Sequence, residues 1–372
     1  AVAATTRPIA RLATAPMPPA GPKRYRLVIT AVTAGVVAVV VMIAAFIALP
    51  RTSSDAATPS EPAPSSDPAP PSYVAAGVID TIPAGDRPTG VAVSPDGTRA
   101  YVTNYGSDSL TVIDTGSQSV IDTIGTGDGP CGVAVSADGS RVYVANQDEN
   151  SLSAIDTASG SVIGAVTVDG GPDGLELSPD GGPDGARAYV ANIPSSVTVV
   201  DTGDLSYVTT ITTDGTGDGV AVSPVGDRLY LNNYASNSLS LFDLGTGTLS
   251  DIAVGRSPRG VAVSRDGVRV YVGNYESDSV SVIDAGARSV IATISVGDGP
   301  DKVAMSPDGA RAYVTNVDSD SLTVIDTTSL SVVGTVTVGD NPDEVALSPD
   351  GTRAYVANYQ SGSVSVIDTG LR

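Results

Sequence analysis

From residue 73 onward the chain alternates short runs of apolar and β-branched residues with tight-turn sequences. The clearest example is the segment SPDGTRAYVTN at residues 94–104. In its turn, Pro presets φ for the first corner, Asp can bond its own backbone, and Gly accepts a positive φ. The flanking residues favour strands because β-branched and aromatic side chains fit a pleated surface. The segment therefore predicts a β-hairpin.

This hairpin pattern occurs seven times. Its core Tyr recurs at intervals of 42, 46, 41, 41, 42 and 42 residues, at Tyr101, Tyr143, Tyr189, Tyr230, Tyr271, Tyr313 and Tyr355. A period of about 40–45 residues is typical of repeat proteins that place one small sheet in each repeat. Each repeat also contains two further strand-like runs, such as SLTVIDT (residues 109–115) and SVIDTI (residues 119–124). Four short strands per repeat are therefore expected.

The order of the strand patterns indicates how the repeats close on themselves. The series begins with a fourth-strand pattern, at residues 77–83, and ends with a third-strand pattern. Pairing the first strand into the last repeat would join the two ends by backbone hydrogen bonds and remove an open sheet edge. We therefore predict an all-β fold, a seven-bladed β-propeller at residues 73–372, in which residues 77–83 complete the blade at 345–369. An open solenoid is the alternative, and the strand offset disfavours it.

The residues before the repeats differ from them in composition. Residues 1–26 are Ala/Pro-rich and carry five basic residues and no acidic one, which predicts a disordered segment. Residues 27–49 are 23 uncharged, mostly apolar residues, enough for a transmembrane helix and too many for the apolar region of a cleaved signal peptide. Residues 50–72 are rich in Pro, Ser and Ala, which is typical of a semi-rigid linker.

The basic residues before the apolar run predict the topology. Under the positive-inside rule residues 1–26 are cytoplasmic, so we expect a single-pass membrane protein with an extracytoplasmic propeller. The sequence begins with Ala rather than Met, so we also expect a trimmed chain or a fragment of a longer one.

The charge and composition of the chain exclude several kinds of partner and site. The formal net charge is −21, and residues 52–372, with 14 basic and 41 acidic residues, carry −27. Such a body should repel nucleic acid, so a nucleic-acid partner is not expected. The chain has no His, which removes the commonest transition-metal ligand and general base, and its one Cys cannot form an internal disulfide. We therefore expect no cofactor, no metal and a monomeric propeller.

The repeat motifs resemble those of a known family. Tyr-Val-Thr-Asn, Tyr-Val-Ala-Asn or Tyr-Val-Gly-Asn occurs in six repeats, with SPDG-like turns before it and Val-Ile-Asp-Thr-like segments after it. The chain is similar to the YVTN family of β-propeller repeat proteins over about 300 residues. The fourth repeat departs from the pattern at residues 230–233, and the third contains an insertion that repeats GGPDG. The resemblance implies a secreted or surface-anchored propeller, and no shared reaction.

Residues present in every repeat are expected to be structural. Each second strand begins with an Arg and each third strand ends with an Asp, so we predict a charge ladder within or between blades. The Arg residues are Arg99, Arg141, Arg187, Arg228, Arg269, Arg311 and Arg353, and the Asp residues are Asp114, Asp156, Asp201, Asp243, Asp284, Asp326 and Asp368.

Residues that differ between repeats are the candidates for binding. In a propeller the loops before the first strand and after the second strand share one face, around the mouth of the central channel. The first set contributes Asp173, Asp218, Arg259, Asp301, Lys302, Asp343 and Glu344, and the second contributes Tyr105, Tyr234, Tyr275 and Tyr359. This varied, acidic and aromatic face is the predicted binding surface. Its oxygen-rich ring also suits a hard cation, but no loop has the spacing of a calcium site.

We therefore expect a membrane-anchored binding, scaffold or sensor module rather than an enzyme. Its partner would be a protein, a glycan or a small molecule. One alternative is the extracytoplasmic sensor end of a longer receptor, such as a Ser/Thr kinase, although no kinase motif is present. The other is a hydrolase, since lactonase-like propellers use carboxylates and Asn around a metal in the channel.

Overall fold

The computed structural model describes residues 77–371 except 180–185, 214, 216 and 217. These residues belong to the compact unit Pro68–Arg372. The predicted basic segment (1–26), transmembrane helix (27–49) and linker (50–72) lie outside the described residues, as does part of the insertion in the third repeat. In the part of the chain that is described, no helix has the length and apolar character needed to cross a bilayer.

The described residues form seven antiparallel sheets of four strands, one per blade. The innermost strands are β2 (Pro88–Val93), β6 (Pro130–Val135), β10 (Pro172–Leu177), β14 (Val220–Val222), β18 (Pro258–Val263), β22 (Pro300–Met305) and β26 (Pro342–Leu347). The second strands are β3 (Arg99–Asn104), β7 (Arg141–Asn146), β11 (Arg187–Asn192), β15 (Arg228–Asn233), β19 (Arg269–Asn274), β23 (Arg311–Asn316) and β27 (Arg353–Asn358).

The third strands are β4 (Ser109–Asp114), β8 (Ser151–Asp156), β12 (Ser196–Asp201), β16 (Ser238–Asp243), β20 (Ser279–Asp284), β24 (Ser321–Asp326) and β28 (Ser363–Asp368). The outer strands are β5 (Ser119–Gly125), β9 (Ser161–Thr167), β13 (Ser206–Thr212), β17 (Thr248–Ala253), β21 (Ser289–Ser295), β25 (Ser331–Thr337) and β1 (Val78–Pro83). Two 3-10 turns follow second strands, at Tyr105–Ser107 and Tyr275–Ser277. Each innermost strand contacts those of the two neighbouring blades, and β26 contacts β2, so the blades form a closed ring.

The ring is closed by the N-terminal strand. β1 pairs antiparallel with β28, with Thr81 opposite Ser365 and Ile82 opposite Val364. The last blade therefore has the order β1-β28-β27-β26 and joins the two ends of the chain by backbone hydrogen bonds. This is the pairing that the strand offset in the sequence predicts, and it rules out the open solenoid.

The hydrophobic core lies between neighbouring blades. In the contact between the first two blades, Tyr101, Leu110 and Ile124 of the first blade pack against Val142 and Ile155 of the second. The repeat Tyr rings are buried in this way throughout the ring. Each blade therefore covers the apolar face of the next, which explains why both faces of the strands are apolar.

The repeat Arg residues link blades, but mainly not through the repeat Asp residues. Each Arg lies opposite its Asp in register, as Arg99 does opposite Asp114. Nevertheless Arg99 Nη1 donates to the carbonyl of Thr157 in the next blade at 2.8 Å. An ion pair of the predicted kind forms between Arg187 and Asp201, at 2.5 Å. The prediction of a charge ladder was therefore wrong in its partners, because the long Arg side chain reaches the adjacent blade.

The repeat Asp residues instead stabilise the turns that follow them. Asp114 Oδ1 accepts hydrogen bonds from Ser117 N and Ser117 Oγ, both at 2.7 Å. These turns and the SPDG-type turns, at residues 94–97 in the first blade, lie at the same ends of the strands. We call them the turn face.

Candidate functional site

The channel mouth is a cavity of about 480 Å³ at the opposite end of the strands. It is formed by the first residues of the innermost strands and by the loops that follow the second strands. Its lining residues are Arg87, Thr89, Gly90, Tyr105, Cys131, Gly132, Gln147, Asp173, Gly174, Asp218, Arg259, Asp301, Lys302, Asp343, Glu344 and Tyr359. The structure thus brings together all the predicted charged residues and two of the four predicted tyrosines.

The innermost strands place two charged side chains where other blades have Gly. We call one equivalent position of the innermost strands and their preceding loops the ring position; it holds Thr89, Cys131, Asp173, Asp218, Arg259, Asp301 and Asp343. The next residue is Gly in five blades, and it is Lys302 and Glu344 in the last two. A Cβ at Gly132 would lie 2.3 Å from Asp173 O of the next blade, so a side chain there would require the backbone to shift. Lys302 and Glu344 are therefore specific departures from the repeat, and both line the cavity.

One side of the mouth is compensated in charge. Lys302 Nζ lies 3.3 Å from Asp218 Oδ2, reaching from the sixth blade to the fourth, and 4.0 Å from Asp301 Oδ1. Arg259 Nη1 lies 2.9 Å from Asp301 Oδ2. The Arg259 guanidinium also lies 3.9 Å from the centroid of the Tyr275 ring, a cation–π contact. Two cations and two carboxylates therefore neutralise each other here.

The third and seventh blades carry carboxylates at the mouth that form no ion pair with a described side chain. Asp173 Oδ2 accepts a hydrogen bond from Gln147 Nε2 at 3.2 Å. The side-chain carboxylates of Asp343 and Glu344 form no hydrogen bond or ion pair with the residues that the structure describes. We call the compensated set (Asp218, Arg259, Asp301, Lys302) the paired side, and Asp173, Asp343 and Glu344 the open side.

The pKa values of Asp218 and Lys302 are set by their ion pairs, whereas burial dominates on the open side and also at Asp301, whose pKa is raised by burial and by Asp218. Burial opposes ionisation of Asp218, but Lys302 and Arg259 outweigh it and lower its pKa. Burial also opposes the charge of Lys302, yet Asp218 and Asp301 hold its pKa well above the usual value. On the open side burial, together with neighbouring carboxylates, raises the pKa of Asp173 to about 6 and of Glu344 to about 7. For Asp343 the same causes raise the pKa well above its usual range.

The predicted tyrosines do not form one uniform surface. Tyr105 Oη donates to Asp148 Oδ2 at 3.0 Å and Tyr275 Oη donates to Asp318 Oδ1 at 3.1 Å, so both hydroxyls link to the next blade. Tyr359 is half-buried in the cavity wall. Tyr234 is 44 % exposed and, as far as the structure describes the chain, is not part of the cavity lining.

Two charged residues near the channel were not singled out from the sequence. Arg87 lines the mouth with an exposed side chain, where the next repeat has Gly129. Glu176 lies where the first blade has Ala92, in its innermost-strand sequence GVAVS (residues 90–94), and that difference was the available signal. Its carboxylate contacts solvent but is enclosed by the ring, and this enclosure together with Glu344 raises its pKa to about 7.

The donors at the mouth do not fit the metal that lactonase-like propellers imply. The Lys302 ammonium and the Arg259 guanidinium lie among the carboxylates, where they occupy the position of a cation. In the described part of the chain no three Asp, Glu or Cys side chains converge as metal ligands. The repeat Asn side chains are buried and bonded within their blades, as Asn104 Nδ2 is to Thr111 Oγ1 at 2.9 Å. We therefore derive no metal chemistry from this site.

Comparison with known proteins agrees with the fold. The sequence model of the family "Lactonase, 7-bladed beta-propeller" matches residues 72–168 and 170–293, and that of the family "YNCE-like beta-propeller" matches residues 262–353. No curated protein sequence matches the chain significantly.

Among solved structures, hydrazine synthase from Kuenenia stuttgartiensis is 26 % identical, with a TM-score of 0.70 over 78 % of this chain and 98 % of that chain. The Cps50 (Swd1) β-propeller domain from Myceliophteria thermophila is 14 % identical, with a TM-score of 0.68 over 79 % and 99 % of the two chains. The second likeness concerns the fold alone. By the extent of the family match and by its seven closed blades, the chain belongs to the lactonase family of seven-bladed β-propellers.

Proposed function

We propose that the chain is a membrane-anchored, extracytoplasmic binding module whose channel mouth receives a partner that carries a cationic group. The observation that carries this proposal is the open side of the mouth. There Asp173, Asp343 and Glu344 line a cavity of about 480 Å³ and form no ion pair with the described Lys and Arg side chains. A cationic group would restore the charge balance that Lys302 and Arg259 provide on the paired side.

The anchoring part of the proposal rests on residues 1–49. The apolar run at 27–49 follows five basic residues, and only Arg51 lies close behind it. This asymmetry favours a cytoplasmic N-terminus and an extracytoplasmic propeller. The same arrangement would serve the sensor end of a longer receptor.

A binding role suits the side chains better than catalysis does. Lys302 stays protonated because Asp218 and Asp301 hold its pKa high, so it is a poor nucleophile or base. Asp218 and Asp301 are already engaged in ion pairs. A binding site needs only shape and charge, and the mouth supplies both.

A lactonase-like hydrolase is the second candidate. The family match favours it, and so does Glu344, whose pKa of about 7 suits a general base near neutral pH. Hydrolysis of simple lactones that is lost in Glu344→Gln, with the fold intact, would support this candidate over a pure binding role.

The topology is tested by adding a protease to intact cells that display the chain. We expect cleavage in the linker at residues 50–72 to release a soluble fragment containing the propeller. Protection of the propeller until the cells are lysed would reverse the orientation.

The binding face is tested by thermal-shift screening of the full chain against a library of cations, neutral sugars and anions. We expect some compounds to raise the melting temperature of the wild-type chain. The same compounds should have no effect on Tyr359→Ala, at the mouth, and should still stabilise Asp96→Asn, on the turn face. Hits with the opposite dependence would place binding on the turn face and contradict the proposal.

A further inference from the structure

The channel mouth already binds one primary ammonium group, that of its own Lys302. We infer that the open side is a second position for the same group, so that the ligand is an organic monocation with a primary ammonium beside a ring or short alkyl chain. This inference rests on the proposed binding function and narrows it to one class of ligand.

The paired side shows that the aspartates of the mouth can bind a primary ammonium group. The Lys302 side chain crosses the mouth and places its ammonium 3.3 Å from Asp218 Oδ2. Only 12 % of this side chain is exposed, so the ammonium has exchanged most of its water for carboxylate oxygens. The aspartates of the paired side can accept a further hydrogen bond. Asp301 is 4 % exposed, and its Oδ1 accepts no hydrogen bond.

The open side carries carboxylates at equivalent positions, but the Lys302 ammonium forms its ion pairs with Asp218 and Asp301 and acts on the open side only through its charge. Asp173 and Asp343 occupy the ring position of Asp218 and Asp301 in their own blades. Glu344 occupies the position of Lys302, so it replaces a cation by a third carboxylate. The side chain of Arg87 lines the rim but is exposed. The open side is therefore a set of carboxylates that form no ion pair with any described side chain, and only Asp173 has a side-chain partner, the Gln147 amide.

The aromatic wall gives a second, independent indication of a cation. In the fifth blade Arg259 stacks on Tyr275, the residue that follows the repeat Asn, at 3.9 Å. Tyr105 and Tyr359 hold the same position in the first and seventh blades and line the cavity. Within the described part of the chain neither ring has a cation over it. A ligand ammonium placed there would reproduce the contact that Arg259 makes in the fifth blade.

The donor geometry favours an ammonium over a metal ion. Calcium requires six to eight oxygen ligands at about 2.3–2.6 Å. No three carboxylates of the described residues converge in this way, whereas an ammonium needs fewer oxygens because it donates at most three hydrogen bonds. The ligand chemistry is therefore organic, with the ring or alkyl part against the tyrosines.

The site should also respond to pH. The groups that face Glu344 are Lys302, Asp301, Asp173, Asp218, Asp343 and Glu176. A cation binds better to ionised carboxylates, so its affinity should be highest above about pH 7 and fall as Glu344 and Asp173 become protonated. The control for this effect is a neutral ligand of the same shape.

The test is a calorimetric titration of the full chain with benzylamine, benzyl alcohol and calcium chloride. We expect benzylamine to bind with a Kd on the order of 1 mM at about pH 8, and at least about fivefold more weakly at about pH 5.5. Benzyl alcohol and calcium should not bind measurably. Asp343→Asn and Glu344→Gly should each weaken benzylamine at least about fivefold. Gly is what five blades carry at this position, and Glu344→Gln repeats the measurement if Glu344→Gly does not fold.

Asp96→Asn, on the turn face, is the matched control and should leave benzylamine binding unchanged. Absence of benzylamine binding, or equal binding of benzyl alcohol, overturns the ammonium site. Calcium binding that Glu344→Gly abolishes also overturns it, in favour of a metal. If the ammonium site fails while other cationic compounds from the screen still bind in a Tyr359-dependent way, the proposed function survives; if no cationic compound does so, both are wrong.

Discussion

The two faces of this propeller use the same residue type for opposite purposes. On the turn face, Asp96 Oδ1 accepts hydrogen bonds from Ser94 Oγ at 2.6 Å and Thr98 N at 3.0 Å, and these bonds lower its pKa. The equivalent Asp138 has a pKa of about 2 for the same reason. At the channel mouth, burial beside other carboxylates raises the pKa of Asp173 and Asp343.

The difference shows where the molecule keeps free binding capacity. A turn-face Asp is already occupied by its own turn, and the repeat Arg residues beside it are occupied by the next blade. An open-side carboxylate is held in an unfavourable state that a partner can relieve. The turn face therefore stabilises the ring, and the mouth is where we propose that a partner binds.

One closed ring carries both faces, so opening that ring should have the largest effect on stability. Deletion of residues 73–84 removes β1, including the buried Ile82, and leaves β28 as an open edge. We expect the melting temperature to fall by about 10 °C or more, in one cooperative transition, because every blade packs on two neighbours. Scanning calorimetry measures this.

A control deletion of equal length, at residues 53–64 of the linker, should leave the melting temperature unchanged. If loss of residues 73–84 also leaves it unchanged, or melts only one part of the domain, the ring does not behave as one unit.

The second prediction tests whether hydrogen bonds between blades at the turn face stabilise the fold. Arg353 Nη1 donates to Thr115 O at 2.8 Å and so ties the last blade to the first. Arg353→Ala should lower the free energy of unfolding by about 2 kcal/mol, because a charged hydrogen bond between blades is lost. Arg87→Ala, an exposed Arg of the mouth, should change it by less than about 0.5 kcal/mol. Denaturant unfolding measures both, and equal losses would remove the distinction between the faces.

Much of the fold could be predicted because each blade contains its own turns and strand patterns. The phase of the repeat also placed Asp173, Asp218, Asp301 and Asp343 on one ring, since equivalent positions in different blades share a level. The closing strand was recognisable from the offset between the first and last strand patterns.

The electrostatics of the site could not be predicted in the same way. The pairing of Lys302 with Asp218 joins the sixth and fourth blades across the mouth, so it depends on the curvature of the ring. The repeat Asp residues lie opposite the repeat Arg residues in register, but the reach of the guanidinium to the next blade decides its partner. Both depend on distances between blades, which a repeat pattern does not contain.

The smallest expected effect is the loss of folding stability that an ionised Glu344 causes at the open side, and it is measured as a dependence of stability on pH. The folded-state pKa of Glu344 is raised to about 7 by burial and by Asp301 and Asp173. Its protonated form is therefore favoured by folding, and the associated stability is full below the unfolded pKa and is lost as pH rises through 7. Glu344→Gln removes this dependence and should stabilise the chain by about 1 kcal/mol at about pH 8, after allowance for partial exposure, and by nothing at about pH 4. Asp138→Asn should not stabilise at either pH, because its ionised form is the one that the fold favours. Urea unfolding at the two pH values measures both variants, and a Glu344→Gln variant that is less stable than wild type at the higher pH would show that the open side is already balanced.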